Sequence, residues 1–284
     1  MKELREIGDE LWFVENDRGT MQIWYKVREV IVDVQTAYQH LAILDLYDYG
    51  RCLILDGVVQ TTELDADIYN EMLAHIPVAI AKNVRDVLII GAGACGVIKK
   101  VLEYDFIEKV DVVEIDKAVV TACLKEMPSI SGGKKDERVS MYYMDGKQFI
   151  SGEDVKGKYD VIIIDASDPE GPSETLFAAE FYEQAYSALK PDGILVCQSE
   201  SPVFYRMLTQ SVRTHLKRLF PIVETACYPM PSYPGGVWTM TLASKKYGLQ
   251  DADISVLSKD ASFILPDNFM SYFRIPIAIK GDLL

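Results

Sequence analysis

Two aspartates, Asp165 and Asp168, follow the apolar run 161–164, which reads Val-Ile-Ile-Ile. Four β-branched residues in succession predict a strand that is buried on both faces, as in a parallel sheet. The acids then lie at the carboxyl end of that strand, the edge of an open α/β sheet where ligands bind. There a carboxylate can accept hydrogen bonds from a ligand or take up a proton. The alternative is a turn whose acids only cap the strand, but two acids set among the prolines and glycine of 169–172 favour a ligand-binding loop.

A glycine-rich turn at 91–96, Gly-Ala-Gly-Ala-Cys-Gly, completes the pattern GxGxxG between a predicted strand and a predicted helix. Gly91 and Gly93 permit the tight turn and let a ligand approach the backbone closely. NAD enzymes and S-adenosyl-sulfonium enzymes share this motif, and an ordinary glycine turn is the alternative. The motif therefore predicts a nucleotide or nucleoside site without fixing which one.

Acids end the next two predicted strands at the same edge of the sheet. Glu114 closes the second strand, where a carboxylate can accept hydrogen bonds from both hydroxyls of a ribose. Asp145, followed by Gly146, closes the third, where it can accept a hydrogen bond from an adenine amino group. Asp-Gly is also a common turn. Taken together, these residues indicate an S-adenosyl nucleoside pocket.

The elements that must position these residues alternate between strand and helix from residue 86 onward. Strands are predicted at 87–90, 110–114, 139–143, 161–164, 193–198, 222–227 and 237–243. Helices are predicted at 95–104, 117–126, 178–189 and 203–219. This alternation indicates an α/β doubly wound parallel sheet, in which the last two strands can form an antiparallel edge.

The segment from Leu11 to about Thr62 has a different pattern, with alternating β-branched and aromatic residues separated by polar or glycine turns. It predicts a small antiparallel β domain at residues 1–64 that precedes a catalytic domain at 65–284. A helix over 65–81 would join the two domains. The apolar face of such a small sheet needs a cover, and self-association is one way to supply it.

Composition excludes several classes of protein. The net charge of −14 disfavours binding to nucleic acid and to anionic membranes. Five cysteines without CxxC spacing and three unclustered histidines predict no metal site. With no signal peptide and no apolar run long enough to cross a bilayer, we expect a soluble cytoplasmic protein with reduced thiols.

Nearly the whole chain resembles the spermidine synthase family of polyamine aminopropyltransferases. Two elements specific to that family are DxSDPxGP, here at 165–172, and YPxG, here beginning at Tyr233. Further matching stretches lie in order along the chain at 38–39, 55–63, 69–77, 91–96, 113–116, 144–146, 198–202 and 231–236.

The resemblance implies a methyltransferase-like Rossmann sheet that carries a small N-terminal β domain, assembled as a homodimer or homotetramer. It implies transfer of an aminopropyl group from decarboxylated S-adenosylmethionine, a co-substrate, to a diamine such as putrescine, with no other cofactor. By residue match, Gln39 joins Glu114, Asp145 and the glycine turn in holding the donor, and Asp165 is the base. Three residues would line the amine channel: Tyr69, Asp168 and Tyr233.

One position departs from the family. Its members usually carry an acid in the turn, in the pattern GGGDGG, where this chain has Ala94, and a glycine where it has Cys95. The missing carboxylate would bind the primary amine of the donor. Two interpretations follow: weaker binding of the usual donor, with Asp165 alone holding its amine, or tolerance of intact S-adenosylmethionine and transfer of a 3-amino-3-carboxypropyl group. We favour the first.

Three other classes of function remain as alternatives at this stage. An NAD-dependent oxidoreductase shares the glycine motif and Glu114, but the sequence offers no evident partner for hydride transfer. A methyltransferase could use the same pocket and differ only in the donor carbon presented to the amine. A catalytically silent binding protein would explain Ala94, although the retained acids and tyrosines argue against it.

Overall fold

The computed structural model describes residues 1–166, 175–276 and 279. Within that part of the chain, two β-sheets follow one another in sequence. A six-stranded sheet is built from the first strands, and a seven-stranded sheet flanked by helices follows it. This is the α/β architecture with a small N-terminal antiparallel unit that the sequence predicts.

The first sheet is a meander in which each strand pairs antiparallel with the next. Its strands are β1 (Leu4–Ile7), β2 (Glu10–Asp17), β3 (Met21–Gln35), β4 (His40–Leu46), β5 (Gly50–Leu55) and β6 (Val58–Thr62). The sequence analysis placed no strand before Leu11, and its alternating runs 21–27 and 29–34 predict two short strands where the structure has the single strand β3. The register of β3 against β4 shifts twice between Val27 and Val32, so one bulged strand mimics two short ones.

The second sheet has the order β12-β13-β11-β10-β7-β8-β9. The bounds are β7 (Asp86–Gly91), β8 (Lys109–Val113), β9 (Val139–Tyr142), β10 (Tyr159–Asp165), β11 (Leu189–Gln198), β12 (Ile222–Pro229) and β13 (Val237–Ser244). Strands β7 to β11 pair in parallel, and β13 lies antiparallel between β11 and β12. The predicted doubly wound sheet with antiparallel final pairing is therefore present.

Six α-helices connect and cover the strands in the described part. They are α1 (Ala66–Ile80), α2 (Gly96–Val101), α3 (Lys117–Glu126), α4 (Gly146–Ile150), α5 (Ala179–Ala188) and α6 (Arg206–Leu219). The sequence analysis began α6 at Val203, but the backbone N–H groups of Val203 and Phe204 donate to the hydroxyl of Ser201 in a turn instead. No helix in the described ranges is both long and apolar enough to cross a membrane.

Alternate side chains of β10 enter different cores. Val161 and Ile163 pack beneath α1 and α2, whereas Ile162 and Ile164 pack beneath α5 and α6. This is the two-faced burial that the β-branched run predicts. It fixes the strand in the middle of the sheet, so that Asp165 lies at a rigid position on its carboxyl edge.

Contacts between the two sheets hold their edges together. The first sheet packs Leu41 and Ile43 against residues of α3. Thr36, in the β3–β4 hairpin, donates its hydroxyl to Asp116 Oδ2 at 2.6 Å, and Asp65 Oδ2 accepts from the backbone N–H of Ser232 at 2.8 Å. The N-terminal sheet therefore forms one wall of the space above the carboxyl ends of β7, β8 and β10.

Candidate active site

A cavity of about 330 Å³ lies between the two sheets at this edge. Nine of the ten residues singled out from the sequence line it: Gln39, Tyr69, Gly91, Gly93, Glu114, Asp145, Gly146, Asp165 and Tyr233. Asp168 lies outside the described residues. The cavity is continuous from Asp165 to Glu114, so the residue predicted to be the base and the residue predicted to bind the ribose share one chamber.

Gly91 and Asp165 are paired residues of adjacent parallel strands. Gly91 has a left-handed φ of +78°, and a Cβ at this position would lie 2.0 Å from the carbonyl oxygen of Asp165. No other residue type fits without separating the strands. The first glycine of the turn therefore lets the main chain bend beside Asp165.

The carboxylate of Asp165 accepts a hydrogen bond from the hydroxyl of Tyr69, at 2.8 Å from Oδ1. Tyr69 belongs to α1, so the helix that links the two parts of the chain also orients this side chain. Burial raises the pKa of Asp165 to about 6, and the hydrogen bond from Tyr69 opposes that rise. Asp165 is thus ionised at neutral pH but basic enough to take a proton.

Replacing Tyr69 with phenylalanine removes the donor that favours the ionised form of Asp165. We expect its pKa to rise, so that the acidic limb of the pH profile of kcat moves to higher pH. Profiles of both proteins over the acidic range measure the shift. An acidic limb that stays in place, or moves down, contradicts the assignment of that limb to Asp165.

Glu114 lines the same chamber and is only 9% exposed. Its Oε1 accepts the backbone N–H of Asp116 at 2.8 Å. Burial raises its pKa to about 7, while hydrogen bonds from the backbone lower it and the charges of Asp116 and Asp165 raise it further. A Cβ on Gly93 would lie 3.7 Å from Glu114 Oε2 and 2.8 Å from a methyl of Val119, so the glycine keeps the space beside this carboxylate open.

Gln39 and Asp145 lie on the cavity wall but also have structural partners. The side-chain amide of Gln39 donates to Asp116 Oδ2 at 3.3 Å. Asp145 Oδ1 accepts the backbone N–H of Gln148 at 3.0 Å and so caps α4. Asp145 is therefore a helix cap rather than part of an Asp-Gly turn, and it also lies on the cavity wall.

Aromatic rings line the chamber beside Asp165. The rings of Tyr69 and Tyr233 meet edge to face with centroids 6.0 Å apart, and Trp238 lies 4.5 Å from Tyr233. The hydroxyl of Tyr233 donates to the carbonyl oxygen of Gln60 at 2.6 Å. Such faces suit an alkyl chain that carries a cation.

Several lining residues were not singled out from the sequence. Trp238 comes from β13 and Gln60 from β6, while Glu15, Asp17 and Arg18 come from β2 and the turn after it. Glu15 is 2% exposed and accepts the backbone N–H of Val59 at 3.1 Å. The sequence signal for these three is only their place at the end of an alternating strand, which does not reveal what the strand faces.

Ala94 also lines the chamber, so the position where the family usually has an acid does face the site. Cys95, the next residue, adopts a left-handed φ of 59° that glycine would adopt without strain. No group of histidine, cysteine, aspartate or glutamate side chains in residues 1–166, 175–276 and 279 is arranged to hold a metal ion.

Comparisons with known proteins agree with this geometry. Residues 11–63 match the spermidine synthase tetramerisation domain, and residues 66–253 match the spermine/spermidine synthase domain. A polyamine aminopropyltransferase of Thermoanaerobacter sp. (strain X514) is 40% identical over 272 residues, which covers 95% of this chain and 98% of the relative. One from Methanocaldococcus jannaschii is 41% identical over 244 residues, covering 86% and 83%.

Solved structures give the same result. A spermidine synthase in complex with the transition-state analogue AdoDATO superposes with a TM-score of 0.93 at 32% identity, covering 100% of this chain and 99% of the other. The spermidine synthase of Thermotoga maritima gives 0.91 at 32% identity, covering 100% and 98%. Both domains, the sheet order and the residues around the chamber lead to one conclusion: this chain belongs to the spermidine synthase family.

Proposed function

We propose that this protein is a polyamine aminopropyltransferase that moves a 3-aminopropyl group from decarboxylated S-adenosylmethionine to a diamine such as putrescine and releases 5'-methylthioadenosine. The observation that carries the proposal is the single chamber joining Asp165 to Glu114. The relatives named polyamine aminopropyltransferase support the same chemistry. Membership of this family rules out the NAD-dependent oxidoreductase considered from the glycine motif.

The nucleoside end of the donor would occupy the wall formed by the carboxyl ends of β7, β8 and β9. Glu114 would accept the two ribose hydroxyls, and the glycine turn would lie against the chain beyond the ribose. Gln39 and Asp145 complete this wall. We propose decarboxylated S-adenosylmethionine as a co-substrate, with no further cofactor.

The acceptor would enter beside Tyr69 and Tyr233, with its reacting nitrogen at Asp165. One proton passes from the ammonium to Asp165, the freed lone pair forms the new N–C bond, and the C–S bond breaks with its electron pair retained by sulfur. The sulfonium becomes a neutral thioether, and the product carries the positive charge as a secondary ammonium. Asp168, outside the described residues, remains the predicted partner of the far ammonium.

A carboxylate is needed here because the attacking amine is protonated at neutral pH and must lose a proton before it reacts. An alkyl ammonium has a pKa of about 10.4, so freeing its lone pair at neutral pH costs roughly 4 to 5 kcal/mol. The neighbouring sulfonium lowers the pKa of the amine, and Asp165 receives the proton. Holding the nitrogen against the sulfonium carbon supplies several kcal/mol more, on the order of that cost.

A donor panel tests the proposal. The purified protein is incubated with putrescine and either decarboxylated or intact S-adenosylmethionine, and the products are identified by mass spectrometry. We expect equal amounts of spermidine and 5'-methylthioadenosine from the decarboxylated donor. A methylated diamine, or a 3-amino-3-carboxypropyl product from the intact donor, would contradict it. Comparison with Ala94→Asp measures what the missing carboxylate costs in donor KM.

Nucleoside binding should release a proton from Glu114. Ribose hydroxyls that donate to the carboxylate favour its ionised form and lower the pKa of a group that is raised to about 7 in the free protein. Titration calorimetry with 5'-methylthioadenosine at about pH 6.5, in buffers of different ionisation enthalpy, measures the release. Glu114→Gln should abolish it. Equal heats in all buffers for the unaltered protein would show that Glu114 does not titrate with binding.

Assembly and location complete the proposal. The match of residues 11–63 to a tetramerisation domain supports a homo-oligomer, and we propose a dimer or tetramer built through the first sheet. Strand β3 leaves Trp24, Val30 and Val34 exposed in the single chain, which suits such a contact.

We propose that the protein is located in the cytoplasm. All five cysteines are free thiols, which suits that compartment.

A further inference from the structure

The charges on the chamber wall are strongly biased towards acids. Among the described lining residues, the acids outnumber the cations five to one: Glu15, Asp17, Glu114, Asp145 and Asp165 against Arg18. An acidic chamber suits a polycationic acceptor and a sulfonium donor. Arg18 is the exception, and nothing in the proposed chemistry uses a cation there.

Arg18 is held firmly in place. It lies in the turn after β2 with a left-handed φ of 53°. Its Nε donates to Asp17 Oδ2 at 2.7 Å, and its guanidinium lies 4.3 Å from the ring centroid of Phe204. The other oxygen of Asp17 accepts the hydroxyl of Tyr205. The guanidinium is therefore pinned to the segment that follows β11, and its position is set by both domains.

These contacts place Arg18 on the amine side of the chamber. Phe204 packs against Gly235, where a Cβ would lie 2.6 Å from the phenylalanine ring. Gly235 follows directly after Tyr233 and Pro234, which line the chamber beside Tyr69. Through Phe204, Arg18 is thus connected to the loop that carries Tyr233, on the side of the chamber into which we expect the far end of an acceptor to extend.

An acceptor at neutral pH carries an ammonium at each nitrogen that is not reacting. A diamine has one such charge, and a longer triamine has two. We propose that Arg18 restricts the acceptor to short diamines, because its guanidinium neutralises Asp17 and so leaves a cation, rather than a free carboxylate, for the additional ammonium that a longer polyamine would bring to this end. Like charges placed together are a common means of rejecting a wrong ligand. The inference rests on the proposed function and adds the acceptor's length and charge to it.

The experiment measures selectivity, the ratio of kcat/KM for spermidine to that for putrescine, with decarboxylated S-adenosylmethionine as donor. We expect the unaltered enzyme to prefer putrescine. Arg18→Met keeps an unbranched side chain that resembles the aliphatic part of arginine but removes the charge, and should raise the ratio about 10- to 100-fold. Arg18→Gln should do the same, whereas Arg18→Lys keeps the charge and the low ratio.

Arg28→Met is a matched control. Arg28 is also an exposed residue that pairs with a carboxylate, Asp45, and lies 4.9 Å from the centroid of an aromatic ring, Tyr47, but it lies on β3 and does not line the chamber. Its substitution should leave the ratio unchanged. Thermal melting of each variant shows whether it folds. Both Arg18→Met and Arg18→Gln remove the charge, so the test can still be made if one of them does not fold.

Three results would overturn the inference. The unaltered enzyme could use spermidine as well as putrescine, or folded Arg18→Met and Arg18→Gln could keep the original ratio. The third result is that the unaltered enzyme prefers a diamine that bears a carboxylate, such as ornithine, and that Arg18→Met abolishes this preference. That result would mean that Arg18 attracts an anion. If the unaltered enzyme alkylates no amine at all, the proposed function fails and takes this inference with it.

Discussion

Asp165→Asn is expected to lower kcat with putrescine about 1,000-fold at pH 7, because an ammonium with a pKa near 10.4 leaves less than about one part in 1,000 as free amine. Asparagine has nearly the same shape and can still accept the hydrogen bond from Tyr69, but it cannot take up the proton. Steady-state turnover measures the loss.

Nucleoside binding separates this effect from damage to the site. The affinity for 5'-methylthioadenosine should be unchanged in Asp165→Asn, because Asp165 is assigned to the amine and Glu114 to the ribose. Asp154→Asn, at an exposed acid that precedes β10, should behave like the unaltered enzyme. A variant that retains more than about a tenth of the activity would exclude Asp165 as the base.

Among the glycines that the structure describes, Gly91 should be the one at which an added methyl group, as in Gly91→Ala, is most damaging. The new Cβ would lie 2.0 Å from the carbonyl oxygen of Asp165, at a residue whose φ is +78°. We expect a loss of at least about 3 kcal/mol in the free energy of unfolding and a fall in Tm of roughly 6 to 10 °C. Where the variant still folds, displacement of Asp165 by about 1 Å should reduce kcat on the order of 100-fold.

Gly157→Ala is the matched control for this prediction. Gly157 also has a left-handed φ, +61°, but no atom lies within 4 Å of the position its Cβ would take. It isolates the backbone strain, which costs about 1–2 kcal/mol. If thermal melts give the two variants the same stability, the close packing of Gly91 against Asp165 does not contribute to the loss of stability in Gly91→Ala.

The sequence predicts the part of the site that is built from local patterns. A β-branched run places Asp165 at a strand end, and a glycine turn after the neighbouring strand places Gly91 beside it, because parallel strands meet at one edge. The same logic finds Glu114 and Asp145. Glu114 directly follows β8 and Asp145 follows β9 by three residues, so both can be found from the strand before them.

The rest of the chamber could not be predicted, because it depends on how the first sheet sits on the second. The end of β2 carries Glu15, Asp17 and Arg18, and its sequence is that of an ordinary polar turn. Only the folded structure shows that this turn contacts Tyr205 and faces the chamber. Family likeness, rather than periodicity, suggested Gln39, Tyr69 and Tyr233. The sequence pattern does not predict β1, because only one of its four residues is even partly buried and little alternation is left.

The central claim is that Asp165 removes a proton from the acceptor, and the pH dependence of its loss tests that claim most directly. The ratio of kcat/KM between the unaltered enzyme and Asp165→Asn should be measured from about pH 7 to about pH 9.5, below the pKa of the amine. If Asp165 is the base, the ratio should shrink about tenfold for each pH unit, because hydroxide then supplies the free amine that the variant cannot make. A ratio that stays constant across this range would mean that Asp165 only holds the substrate, and would contradict the account.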